Sequence, residues 1–381
     1  MAKLKGVLVA LMALTVGLSG CKGFWDAPDN GGGGSTTLTS GVFYVLNAET
    51  AQLVAYYVNA GTLTTVGTYG LSSTPIAMTI APNNEFLYVS TIGGIYVYTI
   101  ASNGTLTLGN SSAPISSDPA QSMKVDATSS WLIEGVSGAA NIFAIPVNST
   151  TGAPTSTTEQ YQALPVSTVQ QVTLAPDNSY AYVAMGTGGT AVIPFTAANS
   201  NPFGTVTTIA TVNASGAAIS VAVDPSDRLF YIGETSAISG SNSGAVRAFV
   251  LSTRTELSGS PFASKGLAPY SILPLAAGSY VYVANRQVSG SSTGVIAGYS
   301  VGVSGSTYSL TALGSTFTAG TNPVGLAQDS TKQFVFAVNY GGNYDLMGYV
   351  FDSTNAGYLD TVIKSTTGTD PVQATAIAAA H

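Results

Sequence analysis

The sequence predicts an all-β fold, a seven-bladed β-propeller, and three observations carry that reading. One short strand pattern occurs seven times, as "VFYVLN" at Tyr44, "FLYVS" at Tyr88, "WLIEG" at Ile133, "YAYVA" at Tyr182, "LFYIG" at Tyr231, "YVYVAN" at Tyr282 and "FVFAVN" at Phe336. The spacing runs from 44 residues (Tyr44 to Tyr88) to 54 (Tyr282 to Phe336). Between the copies lie short β-branched or aromatic runs bounded by Gly, Pro, Asn or Ser, with no helical periodicity. The C-terminus begins a repeat that it does not finish, and the N-terminus finishes one that it does not begin. A period of this length, holding four short strands, is one propeller blade.

The chain divides into residues 1–20, 21–40 and 41–381. Lys3 and Lys5 open a basic segment, "VLVALMALTV" follows as an apolar run, and small residues precede Cys21. That run falls short of the roughly 20 apolar residues of a spanning helix, so residues 1–20 read as a signal peptide. "LSGC" resembles the lipobox of bacterial lipoproteins, which implies cleavage before Cys21 and its lipidation. The acyl chains would then fix the protein to a membrane surface. Cys21 is the sole cysteine, so no disulfide forms within the chain. Residues 21–40 contain Gly31 to Gly34 in a row and no periodic apolar pattern, the composition of a flexible tether. Phe24 and Trp25 are its side chains able to dock on the domain or the lipid interface. The expected location is the bacterial cell envelope, outside the cytoplasm, on the outer membrane or a periplasmic face.

Composition supports that address. Charged residues make up 8% of the chain, against about 25% in ordinary domains. The polar surface is built from hydroxyls and amides. The formal charge of −7 and the lack of a basic patch argue against nucleic acid as a partner.

Within the repeats, "PIAMTIAPNNEFLYVSTIGGIYVYTIASNGTLTLG" from Pro75 reads as four strands and three turns. Pro82, Pro176 and Pro225 each stand six residues before the central tyrosine of the next strand, where a fixed φ ends one strand and starts a turn. Ala127 and Ser330 replace that proline in degenerate copies. The seventh blade is expected to be composite: its innermost strand comes from "DPVQATAIAAAH" (370–381) and its other three from the stretch after Gly41. Such closure removes open sheet edges.

"YVAN"-type strands, the "APDN" and "DPSD" turns and "GGIYVYTIASNGTLT" resemble the seven-bladed lactonase-like propellers related to 6-phosphogluconolactonase, and the wider class of YVTN repeats. The resemblance covers residues 41–381. It implies a propeller and, as an activity, opening of a lactone by a base with a cation steadying the oxyanion. Members acting on lactones use His, Arg and Glu on one face of the ring. This chain departs from that pattern, because its one histidine is His381, the last residue.

No Cys/His cluster, nucleophile elbow or phosphate loop occurs in the sequence. "DPSD" (224–227) and "NYGGNYD" (339–345) contain oxygen ligands of the kind that hold calcium, but the preferred reading is ordinary turns, and no metal and no cofactor is expected. The candidate functional positions follow the second strand of each blade, where a propeller forms its channel mouth: Asn47, Ser90, Glu134, Met185, Glu234, Asn285, Arg286, Asn339 and Tyr340. Loops entering the innermost strands add Asp118, Tyr270, Asn322 and Asp370. Charges are scarce, so Glu134, Glu234 and Arg286 stand out; under the lactonase reading a glutamate is the base and Arg286 the oxyanion partner. The preferred expectation is a binding module that engages a protein, glycan or small molecule through the channel face. A lactone hydrolase and a structural envelope component are the alternatives.

Overall fold

The computed structural model describes residues 41–59, 61–239, 243–288, 291, 293–366 and 370–380. The segments expected as signal peptide and tether, with Cys21, and His381 lie outside the described residues. Apart from one short 3-10 turn at Asn110–Ser112, the regular structure among the described residues is strand, in seven four-stranded antiparallel sheets. Blades 1 to 6 run in chain order, with innermost strands Pro75–Ile80, Ser122–Val125, Gln171–Leu174, Ala217–Val223, Pro269–Pro274 and Pro323–Gln328. Blade 7 is composite as expected: Ala374–Ala379 pairs antiparallel with Val42–Asn47, with Tyr44 opposite Ala378.

Inner strands turn into second strands through one left-handed residue: Asn84, Ser129, Asn178, Asp227, Gly278 or Lys332, with φ between 54° and 64°. Asn, Asp and Gly tolerate that region best, which explains the "APNN", "APDN" and "DPSD" turns. In the two turns where Ala127 and Ser330 replace the proline, an aspartate orders the turn. Asp126 accepts hydrogen bonds from the backbone N–H groups of Thr128, Ser130 and Trp131, and Asp329 accepts from Thr331 and Phe334.

Both faces of each second strand are buried between neighbouring blades. Tyr44, Tyr88, Ile133, Tyr182, Tyr231, Tyr282 and Phe336 are all fully buried. Three of these tyrosines reach across the seam to a left-handed glycine in the outer hairpin of the next blade. Tyr44 donates to Gly104 O (3.0 Å), Tyr88 to Gly152 O (3.0 Å) and Tyr282 to Gly357 O (2.7 Å). Blade 2 has Ile133 at this height, and there Trp131 Nε1 donates to Ala197 O (2.9 Å) instead. Blade 6 has Phe336, which stacks on Phe43 at 4.2 Å and so seals the seam where the two ends of the chain meet. The hydroxyls of Tyr182 and Tyr231 have no partner.

Innermost strands are also stitched to one another. Ser122 Oγ accepts from Val172 N (3.0 Å), Gln171 Oε1 from Val221 N (2.9 Å) and Ser271 Oγ from Leu326 N (3.1 Å), while Ser220 Oγ donates to Pro269 O. These contacts occupy backbone groups that would otherwise face the channel as an unpaired edge.

The latch makes a differential prediction. Tyr282→Phe strands the buried Gly357 carbonyl and is expected to cost about 1–2 kcal/mol. Tyr231→Phe removes a hydroxyl without a partner and is expected to leave stability unchanged or raise it. Denaturant melts of the two variants beside the parent chain test this.

Candidate functional site

Most of the positions after the second strands, expected around the channel mouth, are buried side chains. Asn47, Ser90, Glu134, Met185, Glu234, Asn285 and Asn339 are each at most 5% exposed. Three of them hold the chain segment arriving from the preceding blade. Asn285 Nδ2 donates to Ser264 O (2.7 Å); Asn339 Oδ1 accepts from Gly320 N (3.2 Å) while its Nδ2 donates to Tyr344 O (2.8 Å); Glu234 accepts from Val212 N (2.9 Å). A Cβ on Gly320 would come within 2.6 Å of the Asn339 amide, so this approach demands glycine. At these three positions the polar residue after the strand serves as a staple between blades.

Glu234 is further committed. Its Oε1 lies 2.9 Å from Arg247 Nη1, and Arg247 also binds Glu256 (2.7 Å) and the carbonyl of Ala210 (2.7 Å). With Arg247 only 9% exposed at its side chain, both Glu234 oxygens are engaged inside the protein, Oε1 by Arg247 and Oε2 by the Val212 N–H. Burial disfavours the Arg247 cation, but its hydrogen bonds to Glu256 and Glu234 outweigh that and raise its pKa.

Arg286 differs from every other partly buried arginine. Its guanidinium sits 3.8 Å over the ring of Tyr270, and its Nε is buried without a hydrogen-bond partner. No carboxylate pairs with it among the described residues. Tyr270 is the bulged residue between Pro269 and Ser271 at the channel-entrance end of the blade 5 inner strand. Corresponding bulges carry Ile76, Ile219, Val324 and Thr375 in other blades. Bulges re-aim a side chain off the ladder, so this level of the entrance is built from extra residues. Tyr270 and Arg286 are thus brought together, as two sequence-selected residues, into one aromatic–cation unit.

A second group forms between blades 6 and 7. Tyr340, 40% exposed, shares a hydrogen bond with Gln373 Oε1 (3.1 Å), and its N–H donates to the carbonyl of Asn322 (3.0 Å). Asn322 takes a left-handed φ of 49° to make that approach. Asp370 Oδ1 accepts from Asp345 N (2.9 Å) and from the Ser365 hydroxyl. Asp345, which the sequence reading treated as part of a turn, is buried and accepts from Gln373 N (2.7 Å). Burial, helped by the charge of Asp370, pushes its carboxyl up to about 6.

The third group lies in the seam between blades 1 and 2. At the height of Glu134 the other second strands carry Val45, Val89, Val183, Ile232, Val283 and Ala337, all buried against the preceding blade. Glu134 replaces an aliphatic core residue, is 0% exposed, and neither carboxyl oxygen has a hydrogen-bond partner. Ser90, on the facing second strand of blade 1, is likewise fully buried with a free hydroxyl. Burial first, then the charges of Glu159 and Asp118, push the Glu134 carboxyl up to about 8. Glu159 is raised by the same two causes, burial and Asp118, against the pull of its hydrogen bond to Ser116. Asp118 is exposed, its N–H donating to Ser116 Oγ (3.2 Å). Arg286 makes no ion pair with Glu134 or Glu234, so the three sequence-selected charges do not form one constellation.

Lys124 was passed over in the sequence. It is the one charged residue on the seven innermost strands. Its signal was available: a lysine inside "SMKV", where the equivalent strands hold only neutral residues.

Glu134 sets a pH dependence. Its carboxyl rises from an ordinary 4.5 to about 8 on folding. The folded state therefore holds its proton more tightly, so stability is full below about 4.5 and declines as pH rises through 8. Glu134→Gln is expected to abolish this decline. Thermal melts at pH 4.5 and pH 9 should show the variant gaining on the parent by a few kcal/mol at the higher pH, on the order of the cost of ionising a buried carboxyl.

No protein-family model matches the chain, and no curated protein sequence matches it. Solved structures do. A candidate 6-phosphogluconolactonase from Bacteroides fragilis superposes with a TM-score of 0.68 at 12% identity, covering 89% of this chain and 98% of that one. A periplasmic gluconolactonase from Pseudomonas aeruginosa gives 0.65 at 14% identity, covering 89% and 99%. A Lactobacillus plantarum protein gives 0.65 at 17% identity with the same coverage. At these identities the likeness speaks for architecture, and the chain shares the seven-bladed propeller fold of the 6-phosphogluconolactonase-like proteins.

Proposed function

We propose that this propeller is an extracytoplasmic, lipid-anchored binding module that takes a polyhydroxylated carboxylate, of the sugar-acid class, at its channel entrance. The carrying observation is the Arg286 guanidinium, stacked 3.8 Å over Tyr270 without a carboxylate partner. A planar guanidinium offers a paired set of donors that matches a carboxylate, and the ring beneath holds its plane in place. In a chain of net charge −7, a cation left unpaired is the element that would offset repulsion of an anion. Hydroxyl and amide groups around the entrance, such as Tyr340 and Gln373, suit the hydroxyls of a sugar acid. Opening of a gluconolactone, the substrate class named for the Pseudomonas aeruginosa protein, yields a ligand of this kind.

Binding is favoured over hydrolysis because Glu234 is held by Arg247 and Glu134 faces a blade seam. The lactonase reading keeps one supporting feature: a carboxyl near 8 suits a proton carrier at neutral pH.

Titration calorimetry with gluconate should detect binding that weakens about ten-fold or more in Arg286→Ala, the scale of one charge-assisted contact pair. Equal affinity in parent and variant would remove the assignment. Gluconolactone turnover above the uncatalysed rate, lost in Glu134→Gln, would replace binding by hydrolysis.

The anchor has its own test. With Cys21→Ser, the protein is expected to move from the membrane fraction to the soluble fraction after cell lysis, and the mature chain should lose the mass of its acyl groups.

A further inference from the structure

Lys124 sits halfway down the channel wall, opposite Ile133 of the second strand. The residues at the same height on the other six innermost strands are Thr79, Thr173, Ala222, Leu273, Ala327 and Ala378. Among the described residues its amine makes no hydrogen bond and no ion pair, whereas Arg228 and Arg247 are both tied to carboxylates. The residue is half-buried on the innermost strand, so part of its surface stays accessible. A half-buried amine without a polar partner can be reached by small molecules and is poorly solvated as a charge. Desolvation is the single cause acting on its pKa, and it lowers it, which enlarges the neutral fraction.

An unpaired lysine in such a place has no structural duty. Replacing it by an apolar residue would resemble what the other blades already carry, and burying its charge without a partner is costly. What distinguishes it from an exposed lysine is a nucleophilic lone pair held at the wall of a bore, the arrangement that makes lysines reactive toward carbonyl groups.

We propose that Lys124 is a carbonyl-capturing residue that forms an imine with a small aldehyde entering the channel. The neutral amine attacks the aldehyde carbon and forms the C–N bond. The carbinolamine then loses its oxygen as water, taking both nitrogen protons, and leaves a C=N bond. No oxidant or reductant is consumed, and the reverse step releases the aldehyde. This assignment is independent of the Arg286 site.

Competitive labelling of the full chain tests it without a variant. The protein is incubated with glyceraldehyde and sodium cyanoborohydride, and adducts at each lysine are followed over time by peptide mass spectrometry. The exposed Lys265 and Lys364 serve as internal references. Lys124 is expected to be labelled faster than either, by about five-fold or more, since desolvation enlarges the neutral fraction of its amine. A Lys124 rate no greater than that of the references would overturn the proposal. Lys124→Met should remove the fast adduct and leave the slow ones; a fast adduct that persists in that variant would also overturn it.

Discussion

Circular closure is the constraint on which this molecule rests. Each blade is buried on both faces, so each depends on two neighbours, and the ring holds only if the last neighbour is also the first. The six residues Ala374–Ala379 meet that condition by pairing with Val42–Asn47, and the Phe43–Phe336 stack closes the adjoining seam. With no disulfide within the chain, this pairing and the seam hydrogen bonds do what covalent staples do in smaller secreted domains. The channel entrance inherits part of its geometry from the same constraint, because the staples from Asn285, Asn339 and Glu234 fix three of the incoming loops to the next blade.

Most of the architecture was legible in the residues themselves. The repeat around Tyr88, the turn prolines and the split blade were visible because strand period, turn chemistry and closure each leave local marks. The latch was half legible: Tyr44, Tyr88 and Tyr282 stood in register, but their acceptors Gly104, Gly152 and Gly357 lie in hairpins of the following blade, and no local rule pairs residues that far apart. The site was less legible still. Residues such as Asn285 and Glu234 look like a solvated rim in one dimension, and only the fold shows them turned inward onto backbone groups. Glu134 was noticed for its charge, yet its meaning depends on the aliphatic residues at the same height in the other six blades.

Charge is used sparingly and with purpose. Arg228 pairs with Asp224 and reaches the carbonyl of Gly278 in the next blade; Arg247 gathers two glutamates. Against that background, Arg286 on Tyr270, Lys124 on its innermost strand and Glu134 in its seam stand out, because their side chains make no ion pair and no hydrogen bond among the described residues. The first two lie at different depths of one channel, at the entrance and partway down its wall. Glu134 is separate from both, in a dry seam where ionisation works against the fold.

The split seventh blade has a consequence for biogenesis. Residues 42–70 are made early, yet Val42–Asn47 has an unsatisfied backbone edge until Ala374–Ala379, at the far end of the chain, arrives to cover it. The ring therefore cannot act as a closed unit before Ala374–Ala379 has been made. Until then the inner edge of Val42–Asn47 is a strand edge of the kind that pairs with other chains.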